Sequence, residues 1–180
     1  MVKSSFVLRI KFTAGRQFCA SKSPTSCSCK TLVASIPRQH QNEIIMSNDI
    51  TISTNKGQLN VEFINSFISQ TYWAKDRTIE TMQICIENSL NFGIYLNNNQ
   101  IGYGRVVTDF AQFAYLMDIF IIDEHRKKGY SKLLMDYIIN YDKLENVKVW
   151  RLATSDAHYL YEKYGFKHLA NPEKLMELIK

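Results

Sequence analysis

The spacing of hydrophobic residues along the chain predicts helices and strands from about residue 50 onward. Apolar positions three and four residues apart predict helices over 59–69, 78–88, 131–141 and 156–164. Runs rich in Ile, Val and Phe predict strands over 50–53, 92–96, 101–107, 113–122, 147–153 and 166–169. Only short turns separate the strands between 92 and 122, so these should form an antiparallel meander. We therefore expect a mixed α/β layer, not a doubly wound sheet.

The first 46 residues differ in composition from the rest of the chain. Seven basic residues and no acidic residue precede Glu43, whereas the remaining sequence carries fifteen basic and seventeen acidic residues. The overall charge of +5 therefore belongs to the leader and does not by itself indicate a nucleic-acid partner. We expect a basic, disordered leader over 1–46 and one domain over 47–180. Three interpretations fit the leader: an upstream extension, a mitochondrial transit peptide, or a basic arm that contacts RNA or membrane.

The cysteines do not form a disulfide framework. Cys19, Cys27 and Cys29 lie in the leader and only Cys85 lies in the domain, so they cannot cross-link it. The four histidines show no metal-ligand spacing, and no metal is expected. Free thiols favour a reducing compartment, which is the cytoplasm, or the mitochondrial matrix if the leader is a transit peptide. No apolar run approaches the roughly 20 residues that span a bilayer, so no membrane partner is expected.

The most informative stretch is an apolar strand followed by a basic turn and an amphipathic helix. The turn holds Arg126, Lys127, Lys128 and Gly129. Unpaired N–H groups at a helix start, together with the helix dipole, attract anions, and a glycine lets the backbone approach a ligand closely. This arrangement predicts a phosphate site, most simply for a pyrophosphate, although a solvated basic turn has the same sequence features. The patterns GxxxxGK[ST] and GxGxxG are absent, which argues against a nucleoside triphosphatase or a dinucleotide oxidoreductase.

Two motifs together resemble the GNAT superfamily of acyl-CoA-dependent N-acetyltransferases. The loop 126–131, RKKGYS, resembles the [Q/R]xxGx[G/A] loop of that family, with Ser131 where Gly or Ala is usual. The stretch 157–166, AHYLYEKYGF, resembles the family's LYxxxGF signature of a helix followed by a strand. The resemblance covers about 48–180. Residues 72–75, YWAK, followed by a helix, look like an uncharacterised bacterial-type branch.

The resemblance implies a GNAT-like fold and the residues that bind the acyl carrier. The expected fold is a central mixed, mostly antiparallel sheet with a splayed strand pair, flanked by about four helices. The expected co-substrate is acetyl-CoA. Its pantetheine arm would contact the main chain of Phe120, Ile121 and Ile122. Its pyrophosphate would lie at the loop formed by Arg126, Lys127, Lys128, Gly129, Tyr130 and Ser131.

The resemblance also places Tyr161 at the family position of the general acid. A phenol with an ordinary pKa of about 10 is protonated at neutral pH and can donate to a departing thiolate. Spacing alone would make Tyr161 a core residue of its helix. Tyr72, Trp73 and Tyr103 are candidates for an aromatic acceptor pocket, and Trp73 has a core role as its alternative.

Asp118 is the candidate base, because it lies on the strand that precedes the loop. Two-residue alternation places it on the same face as Leu116, Phe120 and Ile122. A buried structural carboxylate is an equally good interpretation of this residue.

These features predict an enzyme that transfers acetyl from acetyl-CoA to a primary amine of a small molecule or peptide, through a direct ternary complex. A non-catalytic acyl-CoA-binding or regulatory module on the same fold is the alternative. A third hypothesis makes the basic leader a nucleic-acid tether. The sequence leaves the acceptor open, and it does not choose between a monomer and a homodimer.

Overall fold

The computed structural model describes residues 43–45 and 49–179, which contain a six-stranded sheet whose strands follow one another in chain order. The strands are β1 (Glu43–Ile45), β2 (Ile50–Ser53), β3 (Leu90–Leu96), β4 (Asn99–Thr108), β5 (Phe113–Ile121) and β6 (Val149–Arg151). β1 to β5 pair antiparallel, and β6 pairs parallel with β5. The described residues also form the helices α1 (Val61–Ile68), α2 (Ile79–Glu87), α3 (Tyr130–Ile139) and α4 (His158–Glu162). The predicted mixed, mostly antiparallel architecture is confirmed.

Local capping explains where the first two helices begin. The Asn60 side chain accepts a hydrogen bond from the backbone N–H of Phe63, and the Thr78 side chain accepts one from Thr81. Each satisfies an N–H that has no partner inside its helix. α1 and α2 both lie within the segments that apolar spacing indicated.

Two hydrophobic clusters pack against the sheet. Leu134 and Ile138 of α3 belong to the larger cluster, together with Val106 of β4. Ile64 of α1 and Met82 of α2 belong to the smaller cluster, which also holds Tyr103, Leu59, Ile68, Ala74, Ile86 and Phe120. Tyr103 and Val106 of β4 are three positions apart and belong to different clusters, so both faces of this strand are covered. The sheet is therefore enclosed between α3 and the α1–α2 pair.

The structure differs from the sequence prediction in four elements. β6 has three residues, so the strand predicted over 147–153 is too long. The strand predicted over 166–169 is wrong, because these residues have no strand partner among the described ones. α4 has five residues, and the predicted helix over 156–164 is therefore too long. β1 lies inside the expected leader and was not predicted. The other leader residues, 1–42 and 46, lie outside the described residues, so the leader's character remains a prediction.

Candidate functional site

A cleft opens where β5 and β6 separate. Their parallel pairing runs from Phe113 opposite Val149 to Tyr115 opposite Arg151 and ends there, which gives the splayed strand pair that the sequence predicted. The cleft beyond that point has a volume of about 230 Å³. Four parts of the chain line the cleft: β5, the segment after β6, α4 with its start, and the connection between α1 and α2. The lining residues are Tyr72, Trp73, Arg77, Tyr115, Leu116, Met117, Asp118, Ile119, Ala153, Thr154, Asp156, Ala157 and Tyr161.

A β-bulge in β5 shapes the wall of this cleft. Tyr103 pairs with Phe120 and Arg105 pairs with Met117, so β5 contains one residue more than β4 between these pairs. Asp118 lies at this irregularity with a φ of 54°. A bulge interrupts two-residue alternation and bends the strand. Leu116 therefore packs in the cluster with α3, whereas Phe120 packs in the cluster with α1 and α2. The prediction that Leu116, Asp118 and Phe120 share one face is wrong for this reason.

The carboxylate of Asp118 is held by two arginines. Its Oδ2 atom lies 2.8 Å from Nη1 of Arg77 and 2.8 Å from Nη2 of Arg105. The Asp118 and Arg105 side chains are 1% and 6% exposed, so little water screens these pairs. A buried carboxylate needs such partners to offset its lost hydration. Asp118 thus joins Arg77, which lines the cleft, to Arg105 of β4, which is not among the lining residues.

Tyr161 lines the cleft from α4, and its surroundings keep it protonated. Burial raises the pKa of its hydroxyl to about 12, with further contributions from the charge of Asp156 and from Tyr72. Both effects disfavour the phenolate, because a charge loses hydration inside the protein and a nearby negative charge repels another. A phenol that keeps its proton at neutral pH can give that proton to a reacting group, and it is not available as a general base.

The LYxxxGF stretch forms a helix end with a defined geometry. Gly165 has a φ of 85°, a left-handed conformation that glycine adopts without strain. The N–H of Phe166 donates to the carbonyl of Tyr161, and the N–H of Gly165 donates to that of Glu162. The Phe166 ring lies 6.0 Å from the Tyr161 ring. These bonds and this contact make a Schellman motif, which fixes the backbone around Tyr161.

The predicted anion loop ends in an uncapped helix start. Lys127 and Gly129 have φ values of 60° and 87°, and no side chain caps α3, which begins at Tyr130. Left-handed residues within such a turn can direct successive N–H groups toward one point. A Cβ built at Gly129 meets no atom within 4 Å, so conformation and not space requires glycine here.

The charges of this loop are partly neutralised. Arg126 pairs with Asp123 at 2.9 Å, and its Nε donates to the carbonyl of Ile121 at 3.1 Å. Lys132 pairs with Asp136 at 2.6 Å. Lys127 and Lys128 are exposed and have no ion pair within the described part of the chain. They are therefore the two cations best placed to meet an incoming anion.

The aromatic candidates divide into two groups. Tyr72 and Trp73 line the cleft with their rings 4.9 Å apart, and the Tyr72 hydroxyl accepts a hydrogen bond from the backbone N–H of Ser155. Trp73 is 41% exposed, so the alternative that it anchors the core is wrong. Tyr103 is fully buried and donates a hydrogen bond to Asn91 Oδ1, and burial raises its pKa. It is absent from the cleft wall, which removes it from the expected acceptor pocket.

The three residues expected to contact the pantetheine arm lie just beyond the described cleft, whose β5 wall ends at Ile119. The side chain of Phe120 stacks on Phe67 at 4.1 Å, and Ile121 packs in the larger cluster. The N–H of Ile122 donates to Ile101 of β4. β5 has no strand partner on its other edge after Tyr115 among the described residues. Main-chain contacts from 120–122 remain a prediction.

Sequence reasoning missed Arg77 and Arg105. A signal for Arg105 existed, because it is a single cation inside the apolar strand prediction 101–107, next in the meander to the strand that carries the single carboxylate Asp118. Arg77 lies in the connection before α2, where nothing in the sequence distinguishes it from a surface residue.

Neither a metal-binding cluster nor a membrane-spanning helix occurs among the described residues. They contain no cluster of three or more His, Cys, Asp or Glu side chains suited to a metal ion. Within the same residues, no helix is both long enough and apolar enough to cross a bilayer.

Comparisons with known proteins agree with one another. The family model described as an acetyltransferase (GNAT) domain matches residues 87–168. A structure from Xanthomonas campestris pv. campestris, provisionally described as a GNAT-family acetyltransferase, is 42% identical, with a TM-score of 0.71 over 73% of this chain and 93% of its own. A Gibberella zeae protein provisionally named acetyltransferase FG08082 is 26% identical over 141 residues, covering 64% of this chain and 77% of its own.

A more distant structure shares the fold alone. N-acetylglutamate synthase from Neisseria gonorrhoeae, complexed with coenzyme A and N-acetyl-glutamate, is 14% identical, with a TM-score of 0.57 over 70% of this chain and 30% of its own.

Proposed function

The chain belongs to the GNAT family of acetyltransferases, and on that premise we propose that it transfers an acetyl group from acetyl-CoA to a primary amine. The observation that carries this proposal is a protonated Tyr161 in the wall of a cleft at the splayed strands. The acceptor is a small molecule or the amine of a peptide. Donor and acceptor meet in one ternary complex, so the chain needs no covalent intermediate of its own.

The loop before α3 is the proposed site for the donor's pyrophosphate. Its uncapped N–H groups at Tyr130 and Ser131 and the exposed Lys127 and Lys128 fit an anion. The open edge of β5 up to Ile121 fits an extended arm, which would be bound by main-chain hydrogen bonds as an added strand is. The carbonyl of Ile121 already accepts one bond from Arg126, and its second lone pair remains for that purpose.

In the proposed transfer, the chain positions the reactants and supplies one proton. Acetyl-CoA supplies a thioester that is already activated for attack by a neutral amine. The cleft aligns the amine with the carbonyl carbon, which is the main requirement for such a reaction. As the carbon–sulfur bond breaks, Tyr161 gives its proton to the departing sulfur, the amine nitrogen loses one proton to solvent, and Tyr161 regains its proton from solvent. We assign Asp118 to positioning and not to proton abstraction, because two guanidinium groups bind its Oδ2 atom.

The test is acetyl-CoA turnover with a panel of primary amines, followed by release of free thiol. Replacing Tyr161 by Phe removes the proton donor, so the rate should fall by a factor of about 10² to 10⁴. Tyr159→Phe is the matched control, because Tyr159 lies on the same helix and is 67% exposed. It should leave the rate unchanged. Equal rates for Tyr161→Phe and the wild type would remove Tyr161 from the mechanism.

A binding measurement separates the enzyme from the non-catalytic module. Coenzyme A should raise the melting temperature of the wild type and of Tyr161→Phe by the same amount, because ligand binding stabilises the folded state. ATP and NAD should not. Stabilisation by coenzyme A without turnover of any amine would favour the acyl-CoA-binding module. Absence of stabilisation would contradict the proposed donor site.

A further inference from the structure

Arg77 is the single cation among the residues that line the described cleft. It comes from the connection between α1 and α2, and its side chain is 15% exposed. The acidic residues of the same wall are Asp118, which is buried, and Asp156, which is exposed. Burying a charged side chain costs free energy unless its hydrogen-bond donors have partners. The remaining donors of Arg77 therefore need an explanation.

Only one nitrogen of the Arg77 guanidinium has partners within the described part of the chain. Nη1 donates to Oδ2 of Asp118 at 2.8 Å and lies 3.9 Å from Sδ of Met82. Nε and Nη2 have no hydrogen-bond partner there, and neither is among the fully buried unpartnered atoms. Neither atom is therefore completely buried, and the side chain that carries them lines the cleft. Two adjacent N–H groups of a guanidinium form a planar fork that matches a carboxylate.

The net charge around Arg77 also favours binding of an anion. Asp118 is shared between Arg77 and Arg105, so two positive charges face one negative charge. The group therefore carries a net charge of one positive unit at the wall of the cleft. Oδ1 of Asp118 is buried without a hydrogen bond, which means that the carboxylate is held through its other oxygen alone. Asp118 thus orients Arg77 without neutralising the whole cluster.

We propose that Arg77 binds a carboxylate of the acceptor through Nε and Nη2, so that the acceptor is an amino carboxylate whose amine receives the acetyl group. This inference rests on the proposed function. Tyr72, Trp73, Tyr115 and Met117 line the same cleft and offer apolar surface to the rest of the acceptor. A volume of about 230 Å³ suits one amino acid and not a long peptide.

The first arm of the test compares amino acids with their carboxamides on the wild type. The panel is the common amino acids, each paired with its α-carboxamide, and both turnover and binding are measured. Calorimetric titration is done with coenzyme A present, so that binding is observed without reaction. At least one acid should bind and react about 10-fold or more better than its amide, because a charge-assisted bidentate contact is lost. Removing the carboxylate makes the amine less basic, so reactivity alone would favour the amide.

The second arm uses variants of the arginine. Arg77→Gln leaves Asp118 paired with Arg105 and should weaken binding of that acid about 10- to 100-fold while sparing its amide. Arg77→Lys keeps the charge but loses the fork, and should restore part of the preference. Lys75→Gln is the matched control, because it removes one exposed positive charge two residues away. It should leave the acid-to-amide ratio unchanged.

The outcomes separate this inference from the proposed function. Amides and simple amines that react as well as the acids would overturn carboxylate recognition while acetyl transfer stands. Acids that bind in an Arg77-dependent manner without reacting would support the inference and contradict the proposed transfer. If no acid in the panel binds to the wild type, the inference is overturned. The wild-type comparison needs no variant, so it decides the question even if Arg77→Gln fails to fold.

Discussion

The hydroxyl of Tyr164 donates a hydrogen bond to Oδ1 of Asp136 over 2.7 Å, and this bond joins the end of the Tyr161 helix to the helix of the anion loop. The carbonyl of Lys132 lies 3.1 Å from the same hydroxyl. The two motifs that the sequence shares with its family are therefore tied together through α3 by one side chain.

Replacing Tyr164 by Phe should loosen this connection. The hydrogen bond is charge-assisted but partly exposed, so its loss should lower the free energy of unfolding by about 1 kcal/mol. Urea denaturation at pH 7 measures the change, with Tyr159→Phe as the exposed control. Acetyl transfer should slow more than coenzyme A binding weakens, because Tyr161 shifts relative to the cleft. An unchanged unfolding curve would show that the bond does not stabilise the fold.

Asp118→Asn should destabilise the protein strongly. The change leaves Arg77 and Arg105 without a negative partner, and breaking a buried ion pair in this way costs about 3–5 kcal/mol. Asp123→Asn removes an exposed pair with Arg126 and should cost less than about 1 kcal/mol. Denaturant unfolding of both variants provides the comparison. If Asp118→Asn kept its stability and lost only activity, Asp118 would be the base and not the positioning group.

Gly129→Ala should weaken coenzyme A binding through backbone strain. The position has a φ of 87°, and a left-handed conformation costs a residue with a Cβ about 1–2 kcal/mol. No atom obstructs the added methyl group, so any loss comes from the changed direction of the loop N–H groups. Titration calorimetry measures the affinity, and Gly57→Ala outside the loop is the control. Full affinity in Gly129→Ala would exclude this loop as the pyrophosphate site.

The buried tyrosines predict a loss of stability in alkali. Burial and nearby charges raise the pKa of Tyr161 to about 12, and burial also raises the pKa of Tyr103 and of Tyr164. In the unfolded chain all three ionise near pH 10. The folded state then binds more protons than the unfolded state, so the free energy of unfolding falls as pH rises above about 10.

Ultraviolet titration and urea unfolding between pH 9 and pH 12 check this expectation. Tyr161→Phe should remove one late phenolate signal and reduce the slope of stability against pH. Ionisation of Tyr161 together with exposed tyrosines would contradict the burial that supports its proposed role.

Features determined by neighbouring residues could be predicted from the sequence. The glycine turn before α3 and the Gly165 turn each depend on residues within about five positions, and each lies in one of the two motifs named from the sequence. The strand wrongly predicted over 166–169 shows where local patterns are insufficient. The segment 166–169 has strand-forming residues, but Phe166 packs on Tyr161 and its neighbours find no strand partner among the described residues.

The sequence alone determined the layer type, because this follows from hydrophobic period and short turns. It also contained the two motifs whose resemblance indicated the family and the segments that carry the candidate chemistry. Tertiary structure decided how the cleft is lined. Arg77 reaches Asp118 across 41 positions, and Arg105 reaches it across 13. The bulge at Asp118 turns its carboxylate toward them, against simple alternation. Long-range pairing and strand register depend on packing energies summed over the whole domain, and no local pattern contains that sum.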